Sequence, residues 1–151
     1  MNTTNELLFS FLSYIPGPFW LLILFIPTNK KAMLAVDIFL LVMSLLFVIQ
    51  TVPVMQEIVQ IIFKPTFPEM KAFLTTDAGF LGSWNHMILS DVWIGRWVAH
   101  DSIQFEKSWL IRLIIIPVIL IVGPFGLFFY LLFRIIKKRS FAFFTFTERT
   151  D

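Results

Sequence analysis

LIIIPVILIVGPFGLFFYLLF, residues 113–133, runs for 21 residues without a charge. A helix of that length covers about 30 Å, enough to cross the ~30 Å hydrocarbon core of a bilayer. Pro117 and the Gly-Pro-Phe-Gly at 123–126 lie inside it. The stretch therefore reads as a membrane-crossing helix, about 109–135, kinked where proline and glycine interrupt the backbone ladder. Arg112 on one flank and Arg134 with Lys137, Lys138 and Arg139 on the other mark its two ends.

The rest of the chain follows the same pattern. LLFSFLSYIPGPFWLLILFI (7–26) is a second uncharged run, interrupted by Pro16-Gly17-Pro18, and predicts a kinked span at about 6–26. PTNKK (27–31) breaks it. A span at about 32–52 follows, uncharged except for Asp37. In VMQEIVQIIF (54–63) the polar Gln56, Glu57 and Gln60 recur at helical spacing, which suits a helix lying in the interface. KPTFPEMK (64–71), with two prolines, reads as a turn-rich loop. A further span at about 78–99 and a polar link, HDSIQFEKS (100–108), complete the set. We expect one all-α domain over residues 1–151. It is a four-helix transmembrane bundle with kinked first and fourth helices and an interfacial helix between spans two and three.

Composition agrees with a lipid-dissolved chain. Hydrophobic residues make up 58%, charged residues 15%, and phenylalanine alone supplies 19 positions. A soluble domain of this size cannot hide that much apolar surface. The net charge of +2 and the lack of a basic, aromatic-interleaved stripe argue against nucleic acid. Cysteine is absent, which excludes disulfides, thiolate metal sites and cysteine nucleophiles. There is no Gly-rich phosphate loop, nucleophile elbow or HExxH, and the His and Asp spacing matches no closed metal set. No basic residue precedes the first apolar run, so we expect that helix to remain in an integral, multi-pass protein of a bacterial inner membrane. With four crossings, Lys30, Lys31, Arg96, Lys107 and Arg112 oppose Lys64, Lys71, Arg134, Lys137, Lys138 and Arg139. That near tie assigns no orientation.

The third span carries the chemistry, in HMILSDVWIGRWVAHD (86–101). On a helix, His86, Ser90, Trp93 and Trp97 fall on one stripe, while Asp91 points about 140° from His86 and Arg96 about 140° from Asp91. Asp91 and Arg96 therefore need partners on other helices, because an unpaired charge at membrane depth is costly. Asp37, Asp91, Arg96 and Arg112 are expected to form an ion-pair network. His86 with Asp91 suggests ligand binding or proton handling above that polar floor. Ser90, Trp93, Trp97 and the glycines Gly123 and Gly126 are candidate walls for a flat, elongated ligand. The ordinary alternatives are ion pairs that fix helix register, tryptophans of an interfacial belt, and a simple kink at 123–126.

Trp84, Asn85, His86, Asp91, Gly95, Arg96, Trp97 and Asp101 follow the pattern W-N-H-x4-D-x3-G-R-W-x3-D. The pattern resembles the signature of the abscisic-acid-deficient-four-like, or neoxanthin-synthase-like, membrane proteins. FWLLILFIPTNKK (19–31) is similar to the end of that family's first helix, and GPFGLFFYLLFR (123–134) to its last. Plant members are chloroplast proteins needed to make neoxanthin from violaxanthin. The resemblance implies a carotenoid or related isoprenoid as ligand, and an isomerisation that needs no cofactor. An acid would polarise the epoxide oxygen while a base removes a vinylic proton. His86, Asp91 and Arg96 are the candidates for those roles, with Arg96 as electrophilic stabiliser. A non-catalytic scaffold or lipid-binding subunit of a pigment or lipid pathway is the alternative. Membrane lipid is the expected surrounding, and pathway enzymes or further copies of the chain are candidate protein partners.

Overall fold

A computed structural model describes residues 3–139, and all regular structure in that range is helical. The C-terminal FAFFTFTERTD, which reads as amphipathic in sequence, lies outside the described residues. Helices α1 (Thr3–Tyr14) and α2 (Gly17–Phe25) meet at the first proline pair. Pro16 keeps right-handed helical angles, φ −69° and ψ −20°, and Ile15 N–H donates to Phe11 O at 3.0 Å and Trp20 N–H to Pro16 O at 3.1 Å. The helix bends there and continues. Asn29 then caps α3 (Lys30–Thr51), its side-chain oxygen accepting from the N–H of Lys31 at 3.0 Å and Ala32 at 3.1 Å.

A short 3₁₀ turn at Val52–Val54, forced by Pro53, leads from α3 into α4 (Met55–Phe63). Gln56, Glu57 and Gln60 are exposed on α4 and Ile61 is buried, as its polar spacing predicts. The segment read as a loop is in part a helix, α5 (Phe67–Leu74). Thr66 and Glu69 form a reciprocal cap: Thr66 Oγ1 donates to the Glu69 carboxylate at 2.8 Å and accepts from Glu69 N–H at 3.4 Å. Pro68 sits in the first turn, where a missing N–H costs nothing. The two stretches Thr3–Phe25 and Lys30–Phe63 are long and apolar enough to cross a membrane. Their outer faces are apolar, as with Leu41, Leu45 and Ile49 along α3.

Helix α6 (Asp77–Ser102) is the axis of the molecule and packs against α1, α2, α3, α5, α7 and α8. Thr76 caps it, Oγ1 accepting from Gly79 N–H at 3.0 Å. Paired side chains set the directions. Asn5 meets Asp77, Ser13 meets Trp84 and Trp20 lies on Gly95, so α1 and α2 run parallel to α6. Thr51 lies near Gly82, Gln50 meets Asn85 and Asp37 meets Arg96, so α3 runs antiparallel to it.

The expected fourth helix over 109–135 is corrected by the structure. It is two helices, α7 (Ser108–Ile121) and α8 (Gly123–Lys138), folded back on each other at Val122. Val122 is extended, with φ −146° and ψ 87°. Gly126 then lies against the backbone of Ile119, seven residues earlier, which a continuous helix would hold about 10 Å away. Downstream, Tyr130 and Arg134 reach Asp101, and Phe133 stacks edge-on Phe105 at 5.3 Å. Hence α8 returns toward the 103–107 loop from which α7 set out. The 14 residues of α7 cover about 21 Å, less than a hydrocarbon core. Among the described residues the fourfold bundle is therefore three long helical rods and a shorter hairpin.

Candidate functional site

The face of α6 between α3 and α8 carries the stripe predicted to line a site. Leu40 and Ser44 of α3, Leu89, Ser90, Trp93 and Ile94 of α6, and Leu127 of α8 enclose an open groove of about 500 Å³. Its two hydroxyls are turned into their own helices: Ser90 Oγ donates to His86 O at 2.8 Å and Ser44 Oγ to Leu40 O at 2.8 Å. Each oxygen still has lone-pair capacity for a ligand donor. Trp93 is 57% exposed and forms a flat wall.

His86 sits one helical turn from Ser90, exposed, with its ring 5.8 Å from that of Phe47. It does not line the groove itself. The expected wall therefore divides. Ser90 and Trp93 belong to the groove, His86 lies beyond one end, and Trp97 is turned edge-on to Tyr130 at 5.6 Å. Gly123 and Gly126 serve helix packing, against Asp91 and Ile119, and offer no bare backbone to a ligand. The groove touches neither His86 nor residues 123–126.

The four-membered ion-pair network is also corrected. Asp37 and Arg96 pair at 3.3 Å, but Asp91 and Arg112 have no ionic or hydrogen-bond partner among the described residues. The Arg112 side chain is buried with Nε and Nη1 unsatisfied. The carboxyl of Asp91 packs directly on Gly123, where even a methyl group would collide with it. Asp91 thus faces the first residue of α8, at the end where the helix dipole presents partial positive charge. Its role is read from the chain reversal, which hydropathy alone does not reveal. His86, Asp91 and Arg96 consequently point to three different neighbours and are not assembled into one constellation.

A second polar cluster escapes the sequence reading. Asp101 accepts from Tyr130 Oη at 2.6 Å and from Arg134 Nε at 2.9 Å, while its other oxygen accepts from Gln104 Nε2 at 2.8 Å. Tyr130 and Arg134 share one face of α8 at a spacing of four, which was the available signal. A four-crossing bundle puts Arg134 at the opposite membrane face from Asp101, which hid it. Buried Asn85, present in the sequence motif but given no role there, donates through Nδ2 to Gln50 Oε1 at 2.8 Å and ties α6 to α3. No group of three or more His, Cys, Asp or Glu side chains able to hold a metal occurs among the described residues.

An all-helical chain with an apolar exterior, two stretches able to cross a membrane and an apolar groove along its central helix defines a class of small, membrane-type helical protein. The chain belongs to the ABA DEFICIENT 4-like family, whose model matches residues 7–130. The match takes in the whole 84–101 motif and the α7–α8 reversal. No curated protein and no solved structure matches the chain.

Proposed function

We propose that the protein is an integral, multi-pass membrane protein related to neoxanthin synthase. It holds an elongated isoprenoid of carotenoid type in the groove between α3, α6 and α8 and isomerises it without a redox cofactor. The observation that carries this reading is the groove itself: apolar, open along its length to the surroundings, and bordered by Ser44, Ser90 and Trp93. Its volume of about 500 Å³ takes one section of a long chain, and the rest would extend along the stripe toward His86. His86 is the titratable side chain on that stripe and is the candidate proton donor or acceptor. An epoxide-to-allene isomerisation balances internally: a C–O bond opens, the oxygen gains a proton and a vinylic carbon loses one. Arg96, paired with Asp37, and Asp91, packed on Gly123, do not border the groove.

A non-catalytic binding subunit is the second reading, favoured by the satisfied pairs Asp37–Arg96 and Asp101–Arg134. Expression in a carotenoid-producing host separates the two. Under the first reading, pigment analysis finds a new isomer with the wild type; His86→Ala abolishes the product yet co-purifies with pigment, and Trp93→Ala loses pigment. An unchanged pigment profile with wild-type protein, together with bound carotenoid, would establish the binding subunit instead. Full product from His86→Ala would remove the imidazole from the chemistry.

A further inference from the structure

We infer that α7 and α8 form a re-entrant hairpin, that the chain crosses the bilayer three times, and that the basic face so created rests on anionic headgroups of the cytoplasmic leaflet. The inference rests on the membrane reading proposed above. Three observations carry it.

The first is geometric. Gly123 meets Asp91, eleven residues short of the end of α6 at Ser102, whereas Arg134 meets Asp101 at that end. The hairpin tip stops near the middle of α6 and its second arm returns. The hairpin arms, 14 and 16 residues, are each too short to cross alone.

The second is chemical. Irregular backbone survives at membrane depth only when it is buried in protein and satisfied. Gly123 and Gly126 are buried, while the side chains of Ile121, Val122 and Phe125 face outward, so the tip meets this condition mainly through its hydrogen bonds. At the tip Val122 N–H donates to Val118 O at 2.9 Å, and the N–H groups of Phe125 and Gly126 both reach Val122 O, at 3.0 and 3.1 Å. Pro124 has no N–H, and Gly123 is covered by the Asp91 carboxyl. The carboxylate that looked misplaced in an apolar helix thus sits at the positive end of α8.

The third is electrostatic. Returning α8 brings Lys137, Lys138 and Arg139 to the face that already holds Lys30, Lys31 and Lys107. Lys138 Nζ lies 5.8 Å from the centre of the Phe105 ring, and Lys30 borders the same recess as His100 and Ile103. At the opposite end Glu6, Glu57, Glu69 and Asp77 outnumber Lys64 and Lys71. The tie of a four-crossing count becomes a one-sided excess, which places the basic face inside. An anionic leaflet complements it.

The chain's lack of cysteine makes the test direct. Thr28→Cys, Glu106→Cys, Lys137→Cys and Glu69→Cys are each introduced singly and exposed to a membrane-impermeant maleimide on intact cells. Glu69→Cys is expected to label at once, and the other three only after permeabilisation. Labelling of Lys137→Cys together with Glu69→Cys, against Thr28→Cys and Glu106→Cys, would restore a fourth crossing and overturn the hairpin. The reverse pattern, with Thr28, Glu106 and Lys137 variants all outside, would overturn the leaflet assignment. For the lipid, native mass spectrometry of protein from mixed phosphatidylglycerol and phosphatidylcholine bilayers should show selective retention of phosphatidylglycerol. Replacing Lys137, Lys138 and Arg139 by Gln should reduce that preference by about fivefold per charge removed. Equal retention of both lipids by the wild type would overturn the headgroup contact. Release of the wild type by a carbonate wash would instead sink the membrane reading beneath the inference, an outcome distinct from any labelling result.

Discussion

The chain is interrupted twice by the same residue types, at Pro16-Gly17-Pro18 and at Gly123-Pro124-Phe125-Gly126, with opposite results. At the first, the helix bends and goes on; at the second, it turns back. Both breaks contain a proline at the start of the following helix, so proline does not decide the outcome. The glycines do. An added Cβ at Gly17 would meet nothing within 4 Å, whereas at Gly126 it would lie 2.6 Å from Ile119 N and 2.9 Å from Ile119 Cα. The second pair of glycines makes room for two helices to lie side by side, and the first merely sits where a helix bends. A Gly-Pro pair in an apolar run is a kink unless a nearby glycine opens a packing face.

The most disruptive way to attack this contrast is to detach the returning arm. If α8 is held on α6 through Asp101, then Asp101→Ala removes the acidic partner of Arg134, whose side chain is 2% exposed, and an acceptor from buried Tyr130. Breaking a buried charge pair costs about 3–5 kcal/mol. We expect the variant to lose most of its monodisperse yield in detergent. Asp37→Ala, which breaks a pair whose acid is 52% exposed, should lose far less. Equal losses from the two substitutions would mean that α8 is not docked there.

A smaller but sharper strike falls on the turn. Gly126→Ala forces a methyl group onto the Ile119 backbone, which cannot swing aside as a flexible side chain could. Overpacking of this kind costs about 1–3 kcal/mol. Thermal unfolding in detergent should move to lower temperature, with the hairpin opening first. Wild-type stability for Gly126→Ala would show that α7 and α8 do not pack face to face at this point.

Several parts of the fold were legible in sequence for plain reasons. The apolar runs at 7–26 and 32–52 fall inside the first two helical stretches to within a residue, and the break read at PTNKK (27–31) is where Asn29 caps the next helix. Helix α4 follows from the spacing of Gln56, Glu57 and Gln60. Helix α5 was obscured by its prolines, although Thr66 and Glu69 carry the capping spacing that makes it a helix. The hairpin was hidden for a deeper reason. Hydropathy counts apolar residues and is blind to direction, so two short arms joined end to end score like one crossing. Two of the misplaced charges descend from that ambiguity, whereas the unpaired Arg112 lies on α7, before the reversal, and is not explained by it. With α8 on the wrong side, Arg134 cannot find Asp101, and Asp91 is left to seek an arginine when its neighbour is a glycine. Ser90 and Trp93 share one face and border one groove because their stripe depends on α6 alone.

The smallest expected effect completes the contrast. Gly17→Ala replaces an exposed glycine with open space around it. Removing glycine's freedom from the unfolded chain favours folding by about 0.4–1 kcal/mol where the new residue fits without strain. Against this, residue 17 is helical and precedes Pro18, and a Cβ in that position is crowded by the proline ring. The two contributions oppose, so the free energy of unfolding should stay within about 0.5 kcal/mol of wild type. The same Gly→Ala change is then nearly silent at one break and damaging at the other. A Gly17→Ala variant as unstable as Gly126→Ala would show that the first break also depends on close packing, and that the glycines do not separate a bend from a reversal.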